Sequence, residues 1–403
     1  MKSFFLTAAV FFMMQLCASQ FVTLDTFIRD DEGPQGLSGI TPIGESGMYF
    51  CIDDTDGLLH KYKVSFKKDG EIESFKLIKT VKLEGVKDGE ALSLDPLTGR
   101  VFVADERGKS LSSYDPNTGK RISKVDIPKM YFTDMRINRG LESLTISRDG
   151  LSMWLANEDT LKCDGEIATK VSGGKVRFTQ FVRSKASEPW KVVRTVFYYT
   201  DSIGGDPYKT MEISGVAEIL ADDDGSLLVL EREMSMKNPL FPTFRGRLYR
   251  VEVKGVANGA MVAKKLLWNE NTGFSNYEGF CFAPKSPRGE KRLMLVSDAG
   301  HSAAASVMII SQSAKAKGLF VSVQPLADDD LLEPSVQNEV DMALSRASKI
   351  KKVEGKAKLP FSTDGLTHTQ IAIKLVSKQK ADGRWVDGTN DYTAAAVEIL
   401  KKL

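Results

Sequence analysis

The sequence predicts an all-β protein: a β-propeller of five to six blades, six favoured, with a small C-terminal α-helical appendage. Three observations lead there. A short hairpin pattern recurs through most of the 403 residues. The first three copies share one spacing, Ser38, Glu90 and Glu142 lying 52 residues apart (90 − 38 and 142 − 90). Each copy is followed by a further strand-like segment. About four short strands in about 50 residues is the period of a propeller blade.

The copies can be taken in order. Ser38-Gly39-Ile40 precedes a turn at Gly44–Gly47 and the run Met48–Ile52. Glu90-Ala91-Leu92 precedes a turn at Leu97–Gly99 and Val101–Ala104. Glu142-Ser143-Leu144 precedes Arg148-Asp149-Gly150 and Met153–Ala156. Ser214-Gly215-Val216 precedes Asp222–Gly225 and Leu227–Leu230. Glu278-Gly279-Phe280 precedes a longer loop through Gly289 and Leu293–Val296. The segments that follow are Leu59–Val64, Leu111–Tyr114, Val176–Val182, Leu248–Val253 and Val307–Ile310. Gly-containing turns between β-rich runs are hairpin signals. Gln20–Ile28 is expected to supply the outer strand that closes the ring. A two-sheet sandwich is the competing arrangement, with less regular turn spacing.

The termini differ from this pattern. Lys2, the apolar run Phe4–Met14 and the small residues to Ser19 form a signal peptide over 1–19, with cleavage expected near Ser19–Gln20. The propeller is assigned to 20–326, and 327–403 to a linker and small helical module. Its helices are expected near Val336–Ile350, Thr367–Lys380 and Asp391–Leu400. A secreted or periplasmic protein follows, with no membrane span after signal removal.

Composition removes several classes. Formal net charge is +2 with 27% charged residues, so no concentrated basic footprint points to nucleic acid. Only Cys51, Cys163 and Cys281 remain after the signal, which is no disulfide scaffold. The three histidines are scattered, which argues against a histidine-rich zinc site. There is no G-x-S-x-G elbow, dinucleotide fingerprint or phosphate-binding Walker loop. Asp298-Ala299-Gly300-His301-Ser302 invites a Ser/His/Asp reading, but adjacency in sequence does not make side chains converge.

The acids at the hairpin ends carry the chemistry. In an antiparallel pair, the residue before the first strand and the residue after the second share one edge. Glu142 is thereby placed near Asn157-Glu158, Glu90 near Asp105-Glu106, and Glu278 near Asp298. Cyclic repetition brings them to one mouth of the channel. Glu90, Glu142, Glu158, Glu231, Glu278 and Asp298 then form a ring of oxygen donors suited to a hard cation, Ca²⁺ first. Glu142 and Glu278 are the candidate catalytic carboxylates. Arg139 and Arg232 are the candidate groups for an anionic or ester substrate. Each acid could also serve only to solvate a turn.

Several strings resemble a known family: GLSGI (36–40), NRGLESLTIS (138–147) with MWLANE (153–158), LLVLERE (227–233), and NYEGF with LMLVSDAGH (276–301). They are similar to the secreted phytase-like family described by esterase-like activity of phytase, over about residues 30–312. The resemblance implies a β-propeller and phosphoester hydrolysis. Asp298-Ala299 departs from the Asp-Asn common in that family. Gln379-x-x-x-Gly383-x-Trp385 resembles a single QW repeat of the cyclase α/α-barrels. The expected function is metal-assisted phosphoester hydrolysis. The alternatives are a non-catalytic ligand- or protein-binding propeller, the C-terminal helices docking a protein partner, and a lactone-directed metallohydrolase.

Overall fold

The computed structural model describes residues 20–313, apart from 30–32, 35, 55–56, 205–212, 239–240 and 299–304. In the C-terminal part it describes 344, 375, 379–380, 384–387, 390–391 and 393–401. The chain divides into two compact units, Met1–Phe320 and Val321–Leu403.

The first unit is a five-bladed propeller. The chain begins with β1 (Phe21–Ile28). Blade one is β2 (Gly39–Pro42), β3 (Met48–Ile52), β4 (Leu58–Phe66) and β5 (Ile72–Lys82). Blade two is β6 (Gly89–Leu94), β7 (Val101–Asp105), β8 (Ser110–Tyr114) and β9 (Arg121–Val125). A short helix, α1 (Met130–Thr133), precedes blade three: β10 (Leu141–Ile146), β11 (Ser152–Asn157), β12 (Lys175–Val182) and β13 (Lys191–Tyr199). Blade four is β14 (Ile213–Ala221), β15 (Leu227–Asn238), β16 (Phe241–Glu252) and β17 (Ala263–Gly273). Blade five is β18 (Asn276–Ala283), β19 (Arg292–Asp298), β20 (Ser306–Gln312) and, as its outer strand, β1.

The expectation of six blades is corrected here. β1 pairs antiparallel with β20, from Phe21 opposite Gln312 to Ile28 opposite Ser306. It completes the fifth sheet, so among the described residues no strand is left to begin a sixth blade. The role of β1 as the closing strand is as expected, and closure removes the free edge that β20 would otherwise present.

The near-continuous apolar runs follow from this packing. Successive side chains of a strand point to opposite faces, and in each blade both faces meet another blade. Val101 and Val103 of β7 pack toward blade one, while Phe102 and Ala104 pack toward blade three. Tyr49 and Cys51 of β3 face blade five, and Phe50 and Ile52 face blade two. Trp154 and Ala156 of β11 face blade four, and Met153 and Leu155 face blade two. The fifth gap, between blades four and five, is filled around Trp268 and Phe280. Cys51 and Cys281 are buried free thiols in one of these clusters, as expected, and Cys163 is exposed.

The inner strands are latched by a repeated hydrogen bond. Thr41 Oγ1 accepts from Leu94 N (3.3 Å), Ser93 Oγ from Ile146 N (3.0 Å), and Thr145 Oγ1 from Ala221 N (2.9 Å). Between blades five and one the strands meet without such room. A Cβ on Gly279 would lie 2.7 Å from Gly39 Cα and 2.9 Å from Ser38 O, so this close approach requires glycine.

In the second unit Trp385 is fully buried. Its Nε1 donates to Leu375 O at 2.7 Å, and its backbone N donates to Thr393 Oγ1 at 2.9 Å. A two-residue hairpin (Val386–Asp387 with Asn390–Asp391) leads into α2 (Thr393–Leu400), within the helix expected there. The signal segment, His301-Ser302, the Val336–Ile350 and most of the Thr367–Lys380 expectations lie outside the described residues. No helix among the described residues is long and apolar enough to cross a membrane.

Candidate functional site

Strand register builds the site. In blades two, three and five the inner strand carries a β-bulge at its glutamate. The register slips between Gly89 and Ala91, between Leu141 and Ser143, and between Tyr277 and Gly279. The residue left unpaired is Glu90, Glu142 or Glu278, and a bulge re-aims its side chain out of the ladder. Blade four slips between Val216 and Glu218, leaving Ala217 in the same place. The sequence reading, which put Ser214 there, is three residues early. Blade one places Ser38, whose N donates to Ile52 O.

A second ring comes from the second strand of each blade, from the residue that follows the one paired just before the bulge. Gly89 pairs with Asp105, Leu141 with Asn157, Val216 with Glu231, and Tyr277 with Ser297. The next residues are Glu106, Glu158, Arg232 and Asp298, and Gly39 opposite Ile52 makes Asp54 the blade-one counterpart. The two rings therefore read Ser38, Glu90, Glu142, Ala217, Glu278 and Asp54, Glu106, Glu158, Arg232, Asp298. With Asp88, Arg107, Asn138 and Arg139, the charged members line one cavity of about 200 Å³.

Glu231 does not line this cavity. Alternation sends it between blades three and four, where it is fully buried and accepts from Tyr198 Oη, from Lys264 Nζ at 2.7 Å and from Asp201 N at 3.0 Å. Its counterparts staple the neighbouring loop. Asp53 accepts from Leu58 N, Asp105 from Gly108 N, and Asn157 from Arg177 N. The other predicted residues, Glu90, Glu142, Glu158, Glu278, Asp298, Arg139 and Arg232, converge on the cavity.

Asp54, Asp88, Glu106, Arg107 and Asn138 were not singled out as site residues from sequence. A signal existed for two of them, since Asp54, Glu106 and Glu158 repeat the 52-residue step (106 − 54 and 158 − 106).

The electrostatics are those of acids short of countercharge. Arg232 Nη1 donates to Glu278 Oε1, Nη2 to Glu158 Oε1 at 2.5 Å, and Asn276 Nδ2 to Glu278 at 2.8 Å. Arg139 pairs with Asp159, and Arg107 Nε lies 2.9 Å from Asp88. These guanidinium groups do not satisfy the set. Burial, then Glu90, Glu158 and Glu278, hold the Glu142 carboxyl well above its ordinary value. Burial and Glu278 do the same to Glu90. Burial lifts Glu278 to about 8 against the pull of Arg232, Glu106 to about 7, and Asp88 to about 6. Burial opposes the charge on Arg232, but Glu278, Glu158 and Glu142 hold the guanidinium above its ordinary value.

The donor set fits a hard cation. Carboxylate oxygens of Asp88, Glu90 and Glu106 lie within 4.8 Å of one another. Like charges so close raise each other's proton affinity unless a cation replaces the proton. Calcium takes six to eight oxygen ligands, and this site offers only oxygen. Glu106 is oriented by Gly140 N, which donates to Oε1 at 2.6 Å.

The family described as Phytase-like, esterase-like activity of phytase, matches residues 32–299. No curated protein matches the chain. Among solved structures, hydrazine synthase of Kuenenia stuttgartiensis is similar at 13% identity and a TM-score of 0.35. That match covers 70% of this chain and 64% of the other, so the chain spans less than two thirds of it. The periplasmic gluconolactonase of Pseudomonas aeruginosa is similar at 13% identity, TM-score 0.33, covering 68% and 85%. A 6-phosphogluconolactonase-like protein of Bacteroides uniformis is similar at 12% identity, TM-score 0.31, covering 74% and 75%.

Proposed function

Since the chain belongs to the Phytase-like family, we propose that it is a secreted or periplasmic metal-assisted hydrolase acting on phosphoesters at the channel mouth. The observation that carries this reading is the convergence of two blade-repeated carboxylate rings beside guanidinium groups in one cavity.

Asp88, Glu90 and Glu106 would hold the cation, with Ca²⁺ first by donor hardness. When bound, such a cation supplies Lewis acidity and a more acidic water. The chain's own residues supply the rest. Arg107 and Arg139 stand at the lip and meet the anionic group of the substrate. Glu142, whose carboxyl is held well above its ordinary value by burial and by Glu90, Glu158 and Glu278, gives a proton to the departing alkoxide oxygen. Glu278, lifted to about 8, holds a second proton, and Arg232 pairs with both Glu278 and Glu158.

The test is release of inorganic phosphate from an alkyl phosphate monoester with Ca²⁺ and with chelator, in the natural chain and in Glu142→Gln. Chelator-sensitive turnover that falls at least about a hundredfold in Glu142→Gln is the expected result for loss of a general acid. Metal binding without turnover of any ester would make the propeller a binding protein. Turnover of lactones without phosphate release would move the reading to a lactone-directed hydrolase.

A further inference from the structure

The face that carries the cavity also carries the most exposed apolar side chains. Five large apolar residues are more than half exposed among the described residues: Ile137 (89%), Val171 (75%), Ile28, Ile78 and Phe274. Ile78 lies on the outer strand β5. The other four are at the mouth end of the propeller. Ile137 lies in the β9–β10 connection, Val171 in the β11–β12 connection, Phe274 in the β17–β18 connection, and Ile28 ends β1. Single exposed apolar residues are ordinary on a protein surface. Leu97, Val193 and Met261, about half exposed, lie at the opposite end, so what sets the mouth residues apart is that Ile137 and Phe274 stand beside residues of the site.

Three of these residues are presented by turns fixed from within. Ile137 follows Arg136, whose Nε donates to Thr160 O (2.9 Å) and Nη2 to Gly165 O (2.7 Å). The turn closes with Arg139 N donating to Arg136 O at 3.3 Å, and Asn138 takes φ +52°. A positive φ at a residue other than glycine costs energy and persists only where its surroundings impose it. The two residues after Ile137, Asn138 and Arg139, line the cavity.

Phe274 sits in a turn closed by Ser275 N donating to Thr272 O (3.2 Å) and Thr272 Oγ1 donating to Ser275 O (2.8 Å). Two residues on, Asn276 holds Arg232 and Glu278. Val171 tops a turn in which Thr169 N donates to Ser172 O at 2.7 Å. Each turn fixes the place of a side chain that is more than half exposed, and two of them continue directly into the polar site.

We infer that the site takes amphiphilic esters, with the charged ester group in the carboxylate cavity and an apolar chain resting on the rim residues Ile137, Val171 and Phe274. This deepens the hydrolase reading above and rests on it for the chemistry, but not for the binding. The cavity lining itself is charged or polar throughout, so it offers an apolar chain nothing. The rim is where such a chain gains by leaving water. The ester could arrive dispersed or from a lipid aggregate, and the chemistry recognised is the same.

The experiment uses butylphosphonate and dodecylphosphonate, which keep the anionic head and resist hydrolysis. Affinities are measured calorimetrically in calcium buffer with the full chain, both below the critical micelle concentration and in mixed micelles. Dodecylphosphonate is expected to bind at least about tenfold more tightly than butylphosphonate, the gain from burying about two methylenes. That ratio is expected to fall to about threefold or less in Ile137→Ser and Phe274→Ser, since each removes one apolar contact. Both positions are exposed, and unchanged melting of the variants, with Val171→Ser as a third, excludes a folding defect. A chain-length gain confined to micelles supports the inference and assigns the source to aggregates. Equal affinities for the two phosphonates, or a ratio that none of the variants moves, overturns it. Chain-length-dependent binding without turnover of dodecyl phosphate sinks the hydrolase reading alone.

Discussion

Arg232 on the fourth blade donates to Glu278 on the fifth, and its other terminal nitrogen reaches Glu158 on the third, 2.5 Å away. It stands where the other four blades place an acid. In the same sector the inner strand carries Ala217 in place of a glutamate or serine, so a long side chain and a short one share the position. Arg232→Gln removes the charge that both carboxylates face. Breaking a buried ion pair from one side costs about 3–5 kcal/mol. The loss is expected in denaturant midpoints and is expected to be larger at pH 8 than at pH 5, because Glu278 takes a proton with a pKa of about 8. Equal destabilisation at both pH values would show that Arg232 does not compensate a titrating partner.

Cation-free protein is expected to lose stability as pH rises. The folded-state pKa values of Asp88, Glu106 and Glu278 are raised to about 6, 7 and 8, against ordinary values near 4 in the unfolded chain. The folded state therefore binds more protons than the unfolded state between about pH 4 and pH 8, and stability falls through that window. Calcium binding only the folded state offsets the fall. Urea midpoints at pH 5 and pH 8, in chelator and in Ca²⁺, check this. The expected pattern is a decline in chelator that Ca²⁺ abolishes, and a flat profile in chelator would count against the crowded-acid account.

How much of this was legible in the sequence depends on which residues are asked about. Ser38, Glu90 and Glu142 repeat at 52 residues because blades one and two have equal total length, the short outer strand β9 being offset by a long β9–β10 connection, so their alignment needs no structure. The fourth blade resists alignment. Ser214-Gly215-Val216 imitates the motif, but the bulge lies after Val216, and only pairing register reveals it. Glu231 was misplaced by one residue for a related reason. In a strand, one step reverses the side chain, and a Glu-Arg-Glu run gives no hint which member faces the channel. The blade count failed because β1 pairs with a strand at the other end of the propeller sequence, from Phe21 opposite Gln312 to Ile28 opposite Ser306. Local pattern identifies a strand there and cannot say which sheet it completes.

The closing strand gives a third expected outcome. Phe21 is buried in the cluster between blades four and five, whereas its neighbour Val22 is about half exposed. Phe21→Ala is expected to cost about 3–5 kcal/mol through the cavity it leaves. Val22→Ala should stay within about 0.5 kcal/mol, as surface substitutions do. Equilibrium urea denaturation of the two variants separates them. Similar, small effects would mean that β1 contributes little to closing the ring.

Glu218 offers the last test, because it is an acid of the inner strand that takes no part in the mouth cavity. It is buried, and its Oε1 accepts from Leu144 N at 3.0 Å across the blade boundary and from Ile219 N at 2.9 Å. Burial holds its carboxyl well above the ordinary range, only partly countered by those two hydrogen bonds. Burial therefore favours the neutral form of the group, whose Oε1 acts as a double acceptor. Glu218→Gln keeps the accepting oxygen and the shape, and it should change stability by less than about 1 kcal/mol at pH 7. Glu218→Leu leaves two buried N–H groups without an acceptor, at about 1–3 kcal/mol each. Denaturant midpoints of both variants at pH 7 decide the matter. If glutamine proves as damaging as leucine, the carboxyl is charged in the folded protein and its role is electrostatic, not that of a neutral clasp between blades three and four.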